Sequence, residues 1–333
     1  MDLGTTYLGI PLAHPFIPGA SPLADDIDAA RMLEDAGAPA LVMRSLFEEQ
    51  IERESAAVDA HVGRYNDGYA EAQSFFPDPS IFVMGPDRYL EHIRKLRAAL
   101  SIPVIASLNG FSPGGWLSFA KLMEQAGASA LEMNLYVVPT NPEEEGASVE
   151  ARAIAMVKEV RAAIRIPLAV KLSPFYSSLP NFAAKLEQAG ADGLVLFNRF
   201  YQPDIDPLAL DVKRSLHLSD SSELLLRLRW LAVLSGQRSL SLAASGGVHT
   251  TMDAVKAVMA GAHAVQMVSA LLKHGPGRLR EVIAGVKAFL EEHEYESLGQ
   301  MRGNMNLSRC PDPGAYERAN YAEILQGWHG TAG

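Results

Sequence analysis

The sequence contains one cysteine, Cys310, among 333 residues. A lone thiol cannot form an internal disulfide and is typical of a reducing compartment, so we expect a cytoplasmic protein. The amino terminus lacks the charged and apolar regions of a signal peptide. No uncharged apolar run approaches the length of a membrane span, so no membrane association is expected.

Metal-ligand spacing and an excess of positive charge are also missing. The nine histidines include no closely spaced pair, so no metal site is predicted. The formal net charge of −10 repels phosphate-rich polymers, which argues against a nucleic-acid partner. One cysteine is too few to hold an iron–sulfur cluster on this chain, although a partner subunit could carry one.

The sequence contains an internal repeat. Four helix-like segments end in Ala-Gly-Ala and run into an apolar stretch, with the glycines at Gly37, Gly127, Gly190 and Gly261. Glycine just past a helix adopts the left-handed conformation at little cost. The short apolar run that follows is typical of a strand buried on both faces. The repeat therefore predicts helix, cap and parallel strand.

Further apolar runs bring the predicted strands to eight, near residues 16, 41, 105, 132, 169, 195, 242 and 266. Eight strands alternating with helices predict an α/β fold, the (β/α)8 TIM barrel, and an open doubly wound sheet is the alternative. We expect one domain over 1–333. Long insertions are predicted after strand two (46–85) and strand six (199–220), as lids or oligomer contacts, with 293–333 as a carboxyl-terminal extension.

Polar residues at the ends of buried strands are candidates for chemistry, because those ends form the mouth of a barrel. The Ser-Gly-Gly turn at 245–247 precedes a helix, and Val268 and Ser269 follow the last strand. Backbone amides in such positions bind phosphate. The alternative is that the glycines only form a tight turn. Lys171 lies within an apolar strand, so it is expected to face an anion or polar cavity, or to form a structural salt bridge with Glu132.

Seven segments together resemble the dihydroorotate dehydrogenase family of barrels that bind flavin mononucleotide (FMN). They are HPFIPGASP at 14–22, VMRSL at 42–46, LEMNLY at 131–136, VKLSP at 170–174, LFN at 196–198, ASGGV at 244–248 and QMVSALL at 266–272. Each falls on the expected strand, in the expected order. The resemblance implies the barrel fold, FMN as cofactor and an oxidoreductase activity in pyrimidine biosynthesis.

The resemblance also assigns roles by position. It implies that the cofactor is bound by Ala20, Ser21, Ser45, Asn109, Asn134, Lys171, Ser245, Gly246, Gly247, Val268 and Ser269. Lys171 would stabilise the reduced ring. The substrate would be bound by Arg44, Asn134 and Asn198, and Arg44 stands where the family usually has lysine.

The family's proton-accepting Cys or Ser is missing. Register places Val137 there, and valine cannot accept a proton. Tyr136 and Thr140 are the candidate replacements, and Arg44 and Lys171 complete the predicted catalytic set. The glycine-rich stretch before the strand-seven helix is replaced by LHLSDSS, and Val268 stands where glycine is usual.

Three functions are compatible with these residues. The first is an FMN-dependent dehydrogenase of CH–CH bonds, which oxidises dihydroorotate or a similar small anionic substrate and passes electrons to an unknown acceptor, with a homo-oligomer or a partner subunit. The second is a non-catalytic FMN-binding accessory protein, which Val137 favours. The third is a flavin-free, phosphate-binding barrel lyase or isomerase that uses Lys171.

Overall fold

A computed structural model describes residues 1–52, 84–112, 114, 117–213 and 215–327. Eight strands form the main sheet in the order β3-β12-β11-β8-β7-β6-β5-β4. They are β3 (Phe16–Pro18), β4 (Leu41–Phe47), β5 (Val104–Gly110), β6 (Ala130–Leu135), β7 (Leu168–Leu172), β8 (Gly193–Leu196), β11 (Ser241–Ser245) and β12 (Ala264–Met267). The predicted α/β barrel class and all eight predicted strand positions are confirmed.

Two further strand pairs are short and antiparallel: β1 (Thr5–Tyr7) with β2 (Ile10–Leu12), and β9 (Asp204–Asp206) with β10 (Asp211–Lys213). The described helices are α1 (Ile27–Asp35), α2 (Pro86–Ala99), α3 (Ser118–Gln125), α4 (Gly146–Ala163), α5 (Leu179–Gln188), α6 (Leu224–Leu234), α7 (Thr251–Ala260), α8 (Ser269–His274), α9 (Gly277–Glu292), α10 (Leu298–Met301) and α11 (Arg318–Gln326).

The chain divides into two compact units. The first comprises Met1–Phe16 and Val195–Gly333, and the second Ile17–Leu194. The second unit contains β4 to β7 with α1 to α5. The first contains β9 to β12 with α6 to α11. The expectation of a single domain over 1–333 stays a prediction.

The repeat glycines have the predicted geometry. Gly37, Gly127, Gly190 and Gly261 have φ values of 97°, 99°, 101° and 120°, in the left-handed region. At Gly190 a Cβ would lie 2.4 Å from the Arg161 side chain, so a side chain there meets both strain and crowding. Each glycine therefore ends a helix and turns the chain toward the next buried strand.

β4 extends two residues into the segment predicted as the first insertion. β4 continues to Phe47, because Ser45, Leu46 and Phe47 pair with Ser107, Leu108 and Asn109 after an irregularity in the register. Arg44 and Ser45 therefore lie within the strand, not at its end. Most of the predicted 46–85 insertion lies outside the described residues.

The 199–220 segment carries the β9–β10 hairpin. Its apolar side chains Ile205, Leu208 and Leu210 are exposed. Its role as a lid or oligomer contact stays a prediction, as does that of the 293–333 extension, which includes α10 and α11. In the part of the chain that is described, no helix is long and apolar enough to cross a membrane.

A half-buried histidine, His263, makes stability depend on pH. The Nδ1 atom of His263 accepts a hydrogen bond from the backbone N–H of Leu242 at 3.1 Å, which requires an unprotonated nitrogen. Burial, reinforced by the nearby Arg302 cation, lowers the His263 pKa from 6.5 to about 4. The unfolded chain therefore binds the proton more readily than the folded chain between these values.

This contribution to stability is complete above pH 6.5 and is lost as the pH falls toward 4. The loss is at most about 3 kcal/mol. We expect His263→Asn, which keeps an acceptor but does not titrate, to make the free energy of unfolding depend less on pH over this range. Urea unfolding at pH 7 and pH 5 measures it, with the exposed His217→Asn as control. An unchanged pH dependence in His263→Asn would contradict the assignment.

Candidate functional site

Three side chains on neighbouring strands of the second unit form a hydrogen-bonded cluster. Ser45 on β4 and Ser107 on β5 share a hydroxyl–hydroxyl bond of 2.8 Å. The Nδ2 of Asn134 on β6 donates to Ser107 Oγ at 2.9 Å and to Ser45 Oγ at 3.2 Å. Asn109 lies opposite Asn134 in the register and is half-buried. The structure therefore brings together Ser45 and Asn134, two predicted cofactor residues, with Asn109 beside them.

Ser107 and Tyr89 complete this cluster and were missed by sequence reasoning. The Tyr89 hydroxyl donates to the backbone oxygen of Arg44 at 2.8 Å and accepts from the N–H of Ser107 at 3.0 Å. Burial raises the pKa of Tyr89, so its phenol stays neutral. It acts as a fixed cross-link that positions β4 against β5. A tyrosine in an amphipathic helix gives no sequence signal for this contact.

Lys171 and Glu132 form a buried ion pair on β7 and β6. Lys171 Nζ lies 3.2 Å from Glu132 Oε1, and the two side chains are 8% and 1% exposed. The salt bridge that the sequence left as an alternative is therefore present. It does not remove the functional interpretation, because Lys171 also lies opposite Asn134 in the strand register.

Arg44 anchors the loop that follows β3. Its Nη2 lies 2.6 Å from Asp25 Oδ2, and its Nε donates to Asp25 Oδ1 at 3.3 Å. This two-point contact uses the planar fork that lysine lacks. The same loop carries half-buried Ala20 and buried Ser21, whose Oγ has no partner among the described residues. An orphaned buried hydroxyl is uncommon and suits a ligand contact.

The residues of the predicted phosphate site lie in the first unit. Ser245 ends β11, and Gly246 and Gly247 follow with φ values of 92° and 83°. No described residue accepts a hydrogen bond from the N–H groups of Gly246, Gly247 or Val268. Ser269 Oγ accepts from the N–H of Ser219 at 3.0 Å, which leaves its own proton free to be donated. Because β11 and β12 are adjacent, with Ser245 opposite Gln266, these donors leave the same edge of the sheet.

A buried cation supports this turn. Arg227 on α6 donates through Nε to the backbone oxygen of Ser245 at 3.0 Å. A Cβ on Gly246 would lie 3.0 Å from Arg227 Nη2. Burial lowers the Arg227 pKa, and the nearby Glu223 carboxylate opposes that shift. Sequence reasoning missed Arg227, although an arginine within the apolar run LLLRLRWLAVL was an available signal.

The LHLSDSS stretch supplies polar groups where the family has glycine. Ser219 donates its N–H to Ser269, and its hydroxyl shares a 3.1 Å hydrogen bond with His249 Nε2. Lys273 Nζ donates to the backbone oxygen of Ser219 at 2.8 Å. Burial and the Lys273 charge lower the His249 pKa. His249 and Lys273 therefore position Ser219, which in turn contacts Ser269.

The remaining predicted residues lie in loops. Asn198 is two residues beyond β8 and half-buried, and its Nδ2 is buried without a partner among the described residues. Tyr136 follows β6 directly and is half-buried, whereas Thr140 is exposed. Val137 is half-buried and offers no proton acceptor. No cluster of three or more His, Cys, Asp or Glu side chains suited to a metal occurs in the described ranges.

No family model matches the sequence. Among curated proteins, the chain is similar to a putative dihydroorotate dehydrogenase A (fumarate) of Aeropyrum pernix, with 28% identity over 91% of this chain and 97% of that protein. It is 27% identical to the catalytic subunit of dihydroorotate dehydrogenase B (NAD(+)) of Thermoplasma volcanium, over 91% and 98%. The PreA subunit of an NAD-dependent dihydropyrimidine dehydrogenase of Escherichia coli K12 is 21% identical over 93% and 78%.

The barrel fold and these relatives define an oxidoreductase, a dehydrogenase that acts on CH–CH bonds. More specifically, the chain resembles dihydroorotate dehydrogenases over 91% of its length, as its sequence motifs predicted.

Proposed function

We propose that the protein is an FMN-dependent dehydrogenase that oxidises dihydroorotate or a closely similar small anion. The observation that carries this proposal is the presence of two sets of hydrogen-bond donors whose chemistry suits different parts of FMN. Neutral hydroxyl and amide groups cluster on β4 to β6, and backbone N–H groups with no acceptor among the described residues follow β11 and β12. The first set suits the ring and ribityl chain of FMN, and the second suits its phosphate.

In the second unit, Ser45, Asn109, Asn134 and Lys171 would bind the ring or ribityl chain, with Ala20 and Ser21 against the ring. The orphaned Ser21 hydroxyl supports this assignment. In the first unit, Ser245, Gly246, Gly247, Val268 and Ser269 would bind the phosphate. When bound, FMN would accept a hydride at N5 from the substrate.

The chain's own residues would orient the substrate and remove a proton. Arg44 and Asn134 would bind the substrate in the second unit, and Asn198 would bind it in the first. Tyr136 is the better placed of the two candidate bases, because it directly follows β6, whereas Thr140 is exposed. A base near the reacting carbon must reach the proton that it removes. Arg44 and Lys171 would supply the positive charge.

The electron acceptor belongs to a separate molecule under this proposal. Two of the relatives are named as subunits, one catalytic and one PreA. We therefore propose an electron-transfer partner subunit for this chain or, in its absence, a homo-oligomer that uses a diffusible oxidant, in the cytoplasm.

Anaerobic titration of the purified flavoprotein with dihydroorotate tests the function. We expect bleaching of the visible flavin absorption with one substrate consumed per flavin. Dihydrouracil and a saturated carboxylic acid without the pyrimidine ring serve as comparison compounds. Unchanged absorbance with both dihydropyrimidines would contradict the proposal and favour a non-catalytic FMN-binding protein, for which Val137 is the supporting observation.

A further inference from the structure

Two consecutive residues after β8 each carry a buried nitrogen with no hydrogen-bond partner. These atoms are Asn198 Nδ2 and Arg199 Nη1, and neither has an acceptor among the described residues. A buried donor left unpaired destabilises the folded protein, and more so when the donor is charged. Two such donors on consecutive residues point to an acceptor that arrives with a ligand.

The surroundings of Arg199 leave it with unbalanced positive charge. Its Nη2 lies 3.1 Å from Glu223 Oε1, and Arg227 Nη2 lies 3.8 Å from the other oxygen of the same carboxylate. Two guanidinium groups therefore share one carboxylate. The Arg199 guanidinium also lies 5.4 Å from the centre of the Tyr201 ring, a cation–π contact that leaves its positive charge in place.

We infer that Asn198 and Arg199 together bind the carboxylate of the substrate and make the enzyme select a carboxylated dihydropyrimidine over an uncharged one. This inference rests on the proposed function. It extends the predicted substrate role of Asn198 to Arg199, which sequence reasoning missed. A carboxylate has two oxygens, so one can accept from Arg199 Nη1 and the other from Asn198 Nδ2.

The relatives show why this selection matters. They are named for dihydroorotate in two cases and for dihydropyrimidine in another. Dihydroorotate differs from dihydrouracil by one carboxylate. A binding site with a spare guanidinium donor and a spare amide donor therefore discriminates between the two compounds, because removing the carboxylate leaves both donors buried and unpaired.

The test measures the binding of orotate and uracil to the oxidised flavoprotein through the change in flavin absorption, and KM and kcat with the corresponding dihydro compounds. In the wild type we expect orotate to bind at least about 100-fold more tightly than uracil. Arg199→Gln should weaken orotate binding about 30-fold and raise KM for dihydroorotate, with uracil binding changed less than about threefold. Arg199→Lys should recover part of the orotate affinity.

Arg229→Gln, an exposed arginine on α6, is the matched control and should bind both compounds like the wild type. Asn198→Ala provides an independent variant and should weaken orotate binding by about tenfold. Retained FMN and an unchanged melting temperature verify folding. Equal loss of orotate and uracil affinity in Arg199→Gln, or no preference for orotate in the wild type, would overturn the inference alone. If neither orotate nor uracil binds, and neither dihydro compound bleaches the flavin, both the inference and the proposed function are overturned.

Discussion

Lys171→Ala is expected to slow the bleaching of bound flavin by substrate by at least about 100-fold, the range seen when one electrostatic donor is removed from an active site. The side chain is the buried cation on β7, opposite Asn134 in the strand register. Stopped-flow absorbance under anaerobic conditions measures the rate directly. The same variant should also retain FMN less tightly, which equilibrium dialysis can quantify.

The ion pair with Glu132 complicates the single variant. Removing Lys171 leaves a carboxylate that is only 1% exposed without its cation, at a cost of about 3–5 kcal/mol in folding free energy. The double variant Lys171→Met with Glu132→Gln removes both charges, so it should recover most of that stability while bleaching stays slow. Fast bleaching in the stable double variant would contradict the role of Lys171.

Substitution of Gly247 is expected to weaken FMN binding by at least about 100-fold, because the residue combines a left-handed backbone with a close contact. A Cβ there would lie 2.3 Å from the backbone nitrogen of Leu224, which begins α6. The backbone cannot yield as a flexible side chain can. Gly247→Ala should therefore distort the turn that offers its N–H groups to the phosphate.

Three comparisons separate backbone strain, crowding and charge at this turn. Gly246 has a similar φ, but a Cβ there meets only the end of the Arg227 side chain. Gly246→Ala should therefore lose less FMN affinity than Gly247→Ala. Gly247→Asp should bind FMN about tenfold more weakly than Gly247→Asn, because only the former repels the phosphate. Titration of each apoprotein with FMN and with riboflavin measures this. Equal losses for the two ligands would show that the turn does not bind phosphate.

The strand order and the helix-capping glycines were predictable because they depend on local patterns. A glycine after an amphipathic helix and a short apolar run indicate a cap and a buried strand wherever they occur. The sequence also predicted Ser45, Asn134 and Lys171 as candidate site residues, because polar residues within or just after buried strands are conspicuous.

The supporting residues were not predictable, since their contacts join distant parts of the chain. Tyr89 contacts Arg44 and Ser107, and Arg227 contacts Ser245, across 18 to 45 positions. No spacing rule connects such pairs. The continuation of β4 beyond Ser45 to Phe47 was missed for a related reason, because it depends on a register irregularity against β5 rather than on composition. The identity of the base depends on the loop after β6, where periodicity carries no information.

The visible absorption spectrum of the purified protein, recorded as isolated and again after incubation with FMN and removal of free ligand, tests the central claim most directly. We predict a yellow protein with flavin bands and one FMN per chain, retained far better than riboflavin. A colourless protein that takes up no FMN would contradict the account, whatever its activity.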